Sequence, residues 1–502
     1  MLQYTRRVLL AGATSILLAT SFASAQNTDS VTIAVSNSVN TLDPHMTASV
    51  GTDLSVLSHI YPALVLRGPD LKLQPSLAQS WEMVDDNTWR FKLKPDALFS
   101  NDEKIDATAV KWNLDRVRDK DVGARIAGWF SLIDNVVVVD DLTVDIKTSQ
   151  PYPALADQLS MFLMLPPQWA QENSPAKESM SGGRYKIVEY VPGDHITLEV
   201  NDKYWGETSD IKHVVFRTIP EISGRVAALM AGEVDLVTGI PTTELERINA
   251  SGKASANAID SIRMMLAKVN HSKAPMENRA FRQAINYAVD KQGIVDAIFN
   301  GKASVANCQL LSAPYVGYNH DLKPYAYDPE KARDLLKQSG IDLSQEIELE
   351  VPTATYLQGD EVTQIIASQL QDVGLNIKIT EIEFGAFMDK QLRARDLAPL
   401  AVQGLAWPTI DADGMLTMFA PGNVYDYWNN AEFGRILDEA RITTDKEKRN
   451  ALYADATKLM CDEAASLFLY LMPASYGVSN RVEWSSRGDD WVRAFDMKIK
   501  SQ

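Results

Sequence analysis

The chain is poor in the residue types that usually mark a reactive or metal-binding centre. Its 502 residues include two cysteines and six histidines. No two histidines stand two to four positions apart, which is the spacing of paired metal ligands on one strand or helix. The patterns G-x-S-x-G, G-x-x-x-x-G-K-[ST], H-E-x-x-H and G-x-G-x-x-G are also absent. The sequence therefore predicts no catalytic residue, no metal site and no cofactor, and it favours a binding protein over an enzyme.

The chain also lacks a surplus of positive charge. Its formal net charge is -17 at pH 7. Nucleic acid and anionic membranes attract basic surfaces, so we expect this chain to bind neither. The hydrophobic fraction of 45% and the charged fraction of 23% are ordinary for a globular protein of two or three domains.

Long hydrophobic runs are missing except near the N-terminus. Residues 8–19 are mostly apolar, but they are too few to span a bilayer comfortably. With the basic residues before them and a small-x-small motif after them, they predict a signal peptide over residues 1–25 that is cleaved after Ala25. Residues 5–7 (Thr-Arg-Arg) partly fit a twin-arginine signal, so general secretion and twin-arginine export both remain open. The mature protein is predicted to be exported and not membrane-spanning.

The two cysteines are Cys308 and Cys461. An even number of cysteines in an exported chain favours one disulfide. Closing so long a loop would stabilise the fold by ~5 kcal/mol in the chain-entropy model. Two buried free thiols remain the alternative, because the sequence does not show that the two side chains meet.

Hydrophobic periodicity divides the chain into regions. Residues 31–35 alternate as a strand, residues 36–44 form a turn-rich loop, and apolar positions at helical spacing over 54–64 predict a helix. Residues 67–181 show the alternation and turns that are typical of antiparallel hairpins. Residues 211–240 return to a mixed α/β pattern.

The clearest α/β unit lies in the second half of the chain. Asp328, followed by a proline, predicts a helix N-cap, and Gly340 predicts the end of that helix. Residues 347–351 and 375–379 alternate as strands with a helical pattern between them, which predicts a parallel, right-handed crossover. Ligands of open α/β sheets bind outside the carboxyl ends of strands. Residues 352–358, and likewise the loop after the first strand, are therefore binding-loop candidates.

The stretch GLAWPTIDADG, residues 404–414, places Trp407 close to two carboxylates, Asp411 and Asp413. A calcium loop would need an acidic residue or asparagine where Thr409 stands. In an extended segment the two carboxylates would point to opposite faces, which argues against a glycosidase pair. For Asp413 a local turn is favoured, whereas for Asp411 a ligand contact and a turn are both open.

Five long blocks of sequence occur in order along the chain. They are LQPSLAQSWEMVDDNTWRFKLKPDALFSND (73–102), GGRYKIVEYVPGDHITLEVNDKYWG (182–206), RVAALMAGEVDLVTGIP (225–241), NRAFRQAINYAVDKQGIVDAIFNG (278–301) and YDPEKARDLLKQSG (327–340). Together they resemble the extracytoplasmic solute-binding proteins of ABC transporters, in the family 5 group that includes peptide-binding proteins. The similarity runs from about residue 31 to residue 484.

The resemblance implies an α/β fold of the two-lobed periplasmic binding protein type (type II) with an extra subdomain, in which each lobe is a mixed sheet flanked by helices. The implied parts are lobe I (26–60, 182–268 and 473–502), a hairpin-rich subdomain inserted into lobe I (61–181, the insertion) and lobe II (269–472). The chain would cross between the lobes near residues 264–269 and 471–478.

The same resemblance implies the periplasmic substrate-binding component of an ABC importer, with peptides or peptide-like solutes as the expected ligands. The protein would act as a monomer, close its lobes on the solute and dock on inner-membrane permease subunits that cytoplasmic ATPases drive. Opines, oligosaccharides and metal chelates are alternative ligands within the family. A secreted carboxylate-dependent hydrolase is the alternative from another class.

The resemblance also suggests ligand-binding residues. In peptide-binding members an aspartate shortly after a tryptophan in lobe II meets the ligand's ammonium group, and Trp407 and Asp411 occupy that neighbourhood. Their spacing is four where three is common, although a carboxylate beside an indole ring suits a cation. Tyr356 in the strand-end loop could stack on ligand, and Asn40 and Thr41 in the lobe I loop could supply hydrogen bonds. For each of these three residues a role in shaping its loop is the open alternative.

Overall fold

The structure is a computed structural model that describes residues 29–353 and 355–500. The predicted signal peptide, with its cleavage after Ala25, lies outside the described residues. No helix in the described part of the chain is both long and apolar enough to cross a membrane.

The strands are β1 (Ser30–Val35), β2 (Val65–Arg67), β3 (Leu73–Pro75), β4 (Ala78–Asp85), β5 (Thr88–Leu93), β6 (Ile133–Asp140), β7 (Thr143–Thr148), β8 (Tyr185–Val191), β9 (His195–Val200), β10 (His213–Thr218), β11 (Leu236–Thr238), β12 (Ala254–Val269), β13 (Ser304–Val305), β14 (Glu346–Pro352), β15 (Asn376–Ile382), β16 (Leu400–Leu405), β17 (Ser466–Ser479), β18 (Val482–Glu483) and β19 (Lys498–Ile499).

The α-helices are α1 (Ser55–Leu57), α2 (Ala107–Arg118), α3 (Leu155–Leu159), α4 (Pro167–Glu172), α5 (Ile222–Ala231), α6 (Leu245–Ala250), α7 (Arg279–Ala288), α8 (Lys291–Phe299), α9 (Pro329–Ser339), α10 (Gly359–Asp372), α11 (Phe384–Asp389), α12 (Ala412–Leu416), α13 (Ala431–Ile442) and α14 (Lys446–Asp462). Short 3₁₀ or π segments are Val50–Leu54, Ala127–Phe130, Thr242–Glu244, Lys390–Ala394, Thr417–Phe419 and Ala494–Asp496.

One mixed sheet runs through both lobes. Across the sheet its strands follow the order β15, β14, β16, β12, β17, β11, β1, β10, β9, β8, and β13 pairs with β17. In lobe II, β14 is parallel to β15 and to β16. In lobe I, β1 is parallel to β10 and to β11. The fold is therefore the predicted two-lobed α/β arrangement, and the long antiparallel pair β12 and β17 joins its halves.

The chain changes partners where β12 passes between the lobes. On one side β12 and β17 lie beside β11, and on the other side they lie beside β16. The register shifts between Asp260 and Met264, so residues 261–263 form a bulge at the crossing. The crossing was predicted near residues 264–269, whereas the bulge lies just before that range. Met264 already pairs with Leu405 of lobe II.

The insertion has its own sheet and its own core. Strands β4, β5, β7 and β6 form an antiparallel sheet in that order, which confirms the predicted hairpins. Its cluster of buried apolar side chains runs from Leu64 to Met164 and is separate from the clusters of the two lobes. The insertion therefore packs as a separate unit with its own hydrophobic core.

The predicted α/β unit in lobe II is confirmed. Asp328 caps α9 by accepting the N–H of Lys331 at 2.9 Å, and the helix ends at Gly340 in the left-handed region with φ 68°. Strand β14, helix α10 and parallel strand β15 follow as expected. The loop after the carboxyl end of β14 lines the space between the lobes.

The helix predicted over residues 54–64 is wrong in length. Helical backbone covers the π segment Val50–Leu54 and α1, followed by a turn, and β2 begins at Val65. Every residue from 53 to 65 is buried, so helical spacing could not distinguish one face from another. Pro62 also disfavours helical backbone at the residue before it, which ends the segment early.

Candidate functional site

A cavity of about 1530 Å³ lies between the lobes. Lobe I, the insertion, lobe II and the crossing strands all contribute to its wall. The wall side chains that matter here are Trp129, Gln158, Arg263, Tyr356, Gln358, Trp407, Asp413, Arg441 and Asp490. A solute in this cavity would contact both lobes at once.

Trp407 stands in the cavity wall. The hydroxyl of Tyr315 donates to its backbone carbonyl at 2.7 Å and accepts its backbone N–H at 3.2 Å. The indole ring stands edge-on to Trp129 of the insertion, with ring centroids 5.4 Å apart. Its Nε1 has no hydrogen-bond partner among the described residues. Trp407 therefore bridges the two sides of the cavity, and its buried Nε1 lies against Gly414, where an added Cβ atom would come within 2.3 Å of it.

Tyr356 also lines the cavity, in the loop that follows β14. Its ring lies against the backbone of Gly404 in β16. A Cβ atom at Gly404 would come within 2.8 Å of Tyr356 Cε1 and 3.2 Å of Arg263 Cδ. Only glycine permits this approach without displacing them. Tyr356 and Arg263 therefore form one continuous part of the wall.

Asp411 is not among the residues of the cavity wall. Its side chain is 3% exposed, and its two oxygens accept hydrogen bonds from Arg449, each at 2.7 Å. Its Oδ1 also caps α12 by accepting the N–H of Asp413 at 2.9 Å. This placement argues against the predicted contact with a ligand's ammonium group, because a buried guanidinium already neutralises the carboxylate.

Asn40 and Thr41 also lie away from the cavity wall. Asn40 is exposed, and Thr41 Oγ1 accepts the backbone N–H of Asp43 at 3.2 Å, which shapes the loop. The lobe I loop reaches the cavity through Ser36 and Asn37 instead. The position of the loop after β1 therefore indicated correctly that it reaches the cavity. The residues of this loop that line the cavity are its first two, and not Asn40 and Thr41.

The carboxylate of this segment that reaches the cavity is Asp413. Its Oδ1 lies 2.9 Å from Arg441 Nε, and Arg441 Nη2 also donates to Thr417 Oγ1 at 2.6 Å. Burial raises the pKa of Asp413, and Arg441 opposes that shift. A turn was predicted at Asp413 from its neighbours alone. Its partner Arg441 lies 28 positions later on α13, so no local pattern indicated the ion pair.

Arg263 and Asp490 form a second ion pair in the wall. Arg263 Nη2 lies 2.9 Å from Asp490 Oδ2, and the two side chains are 28% and 30% exposed. Arg263 belongs to the bulge of β12, and Asp490 has a left-handed backbone with φ 63°. Neither residue was predicted from the sequence. A lone arginine before the apolar run 264–267 was the signal that could have identified Arg263.

Four polar side chains of the wall carry a buried atom without a hydrogen-bond partner in the described structure. These atoms are Gln158 Nε2, Arg225 Nε, Gln358 Oε1 and Trp407 Nε1. Gln158 is 3% exposed. An unpaired buried polar group costs about 1–3 kcal/mol, so these four atoms mark a part of the wall that is costly to leave without a partner.

The two cysteines lie away from the cavity, and they form the disulfide that was predicted as one of two alternatives. Cys308 and Cys461 are joined in a disulfide with Cα atoms 5.3 Å apart, outside the cavity wall. Over residues 29–353 and 355–500, no group of three or more histidine, cysteine, aspartate or glutamate side chains is placed to hold a metal ion.

Known proteins are similar to this chain in sequence and in architecture. The sequence profile of the bacterial extracellular solute-binding proteins, family 5 Middle, matches residues 72–426. The glutathione-binding protein GsiB of Pectobacterium atrosepticum is 27% identical over 483 residues, which cover 92% of each chain. The nickel-binding periplasmic protein of Escherichia coli is 27% identical over an alignment of 512 residues, covering 95% of this chain and 94% of that protein.

The fold is likewise shared. The periplasmic binding protein DppA of Helicobacter pylori, in complex with the peptide STSA, superposes with a TM-score of 0.82 at 22% identity. The superposition covers 94% of this chain and 98% of that one.

Proposed function

Because the chain belongs to the family 5 bacterial extracellular solute-binding proteins, we propose that it is the periplasmic substrate-binding component of an ABC importer for peptides or peptide-like solutes. Its relatives are binding proteins, among them a glutathione-binding protein and a nickel-binding protein.

The cavity between the lobes carries this proposal. Groups from both lobes face it, and a solute that touches both favours the closed arrangement by its additional affinity for that state. The contact of Trp129 with Trp407 supports the idea that the walls meet across the cavity. Binding by closure needs no covalent chemistry.

The size and charge of the cavity favour a peptide-like ligand. Pockets for drug-sized ligands measure roughly 300–1,000 Å³, and this cavity of about 1530 Å³ exceeds them. Its wall contains two ion pairs and unpaired amide groups, which suit a charged solute with several hydrogen-bonding groups. Opines and metal chelates share some of that chemistry, whereas a neutral oligosaccharide has no charge to offer.

We favour binding without turnover over hydrolysis. The two carboxylates of the GLAWPTIDADG stretch are each held by an arginine, Asp411 by Arg449 and Asp413 by Arg441. A general acid or base must reach its substrate and exchange protons with it, whereas Asp411 lies outside the cavity wall and Asp413 already pairs with Arg441.

The proposal extends to export and to partners. Cleavage after Ala25 would release the mature chain into the periplasm. The loaded protein would then dock as a monomer on inner-membrane permease subunits, with cytoplasmic ATPases on the other side. The periplasmic relative and the predicted signal peptide support this placement.

Purification of the mature chain from residue 26 onward, followed by native mass spectrometry, tests the proposal. We expect a co-purifying solute that is a peptide or peptide-like compound, and we expect it to be recovered intact after incubation with the protein. A hydrolysis product that appears only with the protein would support the hydrolase instead.

A thermal-shift panel provides the second measurement. It would contain dipeptides to pentapeptides, glutathione, a nickel–histidine complex, an opine and an oligosaccharide. A ligand at 100 times its Kd stabilises the folded protein by ~2.7 kcal/mol. The peptide proposal fails if neither peptides nor glutathione shift the melting temperature while a sugar or a chelate does.

A further inference from the structure

We propose that Arg263 and Asp490 together bind the zwitterionic head group of an α-amino acid on the solute, with the carboxylate on Arg263 and the ammonium group on Asp490. This inference rests on the proposed function and adds to it the chemical group that the cavity recognises. It distinguishes solutes in which both charges sit on one carbon from ordinary peptides, in which the two termini are separated.

The geometry of this ion pair differs from that of two fully buried pairs elsewhere in the described structure. Arg449 and Arg487 each place two nitrogens on the carboxylate of their partners. Arg263 uses only Nη2, and in the described structure this is the one hydrogen bond of its side chain. A guanidinium has five N–H donors and a carboxylate accepts about four hydrogen bonds. Both partners therefore keep capacity on the cavity side.

The pair is held where both lobes meet. Arg263 lies in the bulge at the crossing, and bulges beside functional sites redirect side chains. Its backbone N–H donates to Ser261 Oγ at 3.0 Å, and Ser261 Oγ donates to Met472 O at 2.6 Å. These bonds tie the bulge to β17, so Arg263 keeps its position when a solute arrives.

The other half of the pair is fixed to the same bulge. Ile262 N–H donates to Gly488 O at 2.8 Å, which joins the crossing strand to the segment that carries Asp490. A Cβ atom at Gly488 would lie 2.9 Å from the carbonyl oxygen of Asp260, so this close approach requires glycine. Asp490 itself has a left-handed backbone, a conformation that is enriched at binding sites.

The charges of the pair match those of an amino-acid head group. In such a group the nitrogen lies about 2.5 Å from the carboxyl carbon, from standard bond lengths and angles. The two charged ends of the protein pair are also close, at 2.9 Å. A guanidinium binds carboxylates through a fork of parallel N–H donors. A neutral pair that receives a neutral zwitterion changes no net charge in the cavity.

Two glutamine side chains of the wall each have one amide atom without a hydrogen-bond partner in the described part of the chain, and this is a second observation that suits a polar solute. Gln158 Nε2 and Gln358 Oε1 are both buried in the cavity wall without a partner among the described residues. One is a donor and the other is an acceptor, which is the combination that a peptide or amide group satisfies. The head group on the ion pair and an amide on the glutamines would account for both sets of groups.

Two isomeric dipeptides test the inference by isothermal titration calorimetry. In γ-glutamylglycine the glutamyl ammonium and carboxylate sit on one carbon, whereas in α-glutamylglycine they do not. The isomers have the same composition and net charge, so their difference isolates the head group. We expect γ-glutamylglycine to bind at least tenfold more tightly, and equal or reversed affinities would overturn the inference.

Variants of Arg263 and Asp490 test whether this ion pair causes the preference for γ-glutamylglycine. Arg263→Gln and Asp490→Asn are each expected to reduce the preference for the γ-isomer to less than threefold. Arg217→Gln removes an arginine from an exposed ion pair with Glu233 and should keep the full preference. Circular dichroism checks that each variant is folded, and Asp490→Asn provides a second route if Arg263→Gln does not fold. An unchanged preference in a folded variant of either residue would overturn the assignment.

The same titrations separate this inference from the proposed function. If ordinary α-linked peptides bind and γ-glutamylglycine does not, the head-group inference is wrong and the peptide importer stands. If no peptide-like compound binds while a sugar or chelate does, the proposed ligand class is wrong and the inference fails with it.

Discussion

Replacing Asp411 by asparagine tests whether this carboxylate holds lobe II together or binds the solute. Arg449 lies on α14 with its side chain 6% exposed, and its two Nη atoms donate to Asp411 at 2.7 Å. Asparagine has the same shape and keeps an oxygen to accept the N–H of Asp413. It removes the charge, however, and leaves a buried guanidinium without its counter-ion. We therefore expect Asp411→Asn to lower stability and to leave the cavity intact.

The size of the effect follows from the burial of the pair. Two unit charges 4 Å apart attract by about 4 kcal/mol at an effective dielectric constant of 20. Removing one partner of a buried pair costs about 3–5 kcal/mol in measured cases. The hydroxyl of Tyr453 still accepts from Arg449 Nη2 at 2.9 Å, and its ring centroid lies 4.9 Å from the guanidinium carbon. Because these contacts remain, we expect a loss near the lower end, ~3 kcal/mol.

Urea unfolding of the ligand-free protein measures this loss, and titration with the identified solute measures affinity. The double variant Asp411→Asn with Arg449→Met should recover much of the stability, because it removes both charges. Glu233→Gln, in an exposed pair with Arg217, is the matched control and should change stability by less than ~0.5 kcal/mol. If Asp411→Asn unfolds at the same urea concentration as the wild type and no longer binds the solute, Asp411 is a ligand contact and the structural account is wrong.

Three further substitutions test other parts of the structure. Gly414→Ala would place a Cβ atom 2.0 Å from Trp407 Cδ1, so we expect solute affinity to fall about fivefold, or ~1 kcal/mol, with secondary structure kept; calorimetry that shows unchanged affinity would contradict this placement of the ring. Serine at both Cys308 and Cys461, which lie 153 positions apart, should lower the free energy of unfolding by ~5 kcal/mol in the chain-entropy model, and an unchanged urea midpoint would argue against it. Burial lowers the pKa of His59 from 6.5 to about 3, so its stabilising contribution is complete above pH 6.5 and is lost as the pH falls toward 3. Between pH 6 and pH 4, His59→Gln should therefore reduce the slope of stability against pH by about 1.4 kcal/mol per unit, and urea titrations with equal slopes would refute that.

Much of the fold could be predicted because its signals are local. The cap at Asp328, the stop at Gly340 and the alternation of β14 and β15 each depend on a few neighbouring residues. The segment 54–64 could not be predicted in the same way, since it is buried on all sides and has no polar face to limit the helix. The position of the crossing also depended on a distant pairing, between Met264 and Leu405.

The site was harder to predict because its charges choose partners that are far away in sequence. Trp407 and Tyr356 could be placed from a family motif and from a strand-end loop. The role of Asp411 depends on Arg449, which lies 38 positions later on another helix. Arg263 meets Asp490 across 227 positions. No local pattern distinguishes a carboxylate that is already paired from one that faces a cavity.

Ion-pair geometry gives a physical criterion for that distinction. Arginine places two nitrogens on the carboxylate in several pairs outside the cavity wall, such as Arg90–Asp145, Arg481–Asp235, Arg487–Asp489 and Arg449–Asp411, although the pair Arg67–Asp157 uses one. In the two pairs of the cavity wall, Arg441–Asp413 and Arg263–Asp490, one nitrogen contacts the carboxylate. A two-nitrogen pair is a fork of two parallel hydrogen bonds, so a solute that replaces either partner must break that fork. A one-nitrogen pair can add a solute without losing its own contact. Neutralising a cavity pair should therefore change affinity more than stability, and neutralising a two-nitrogen pair should do the reverse.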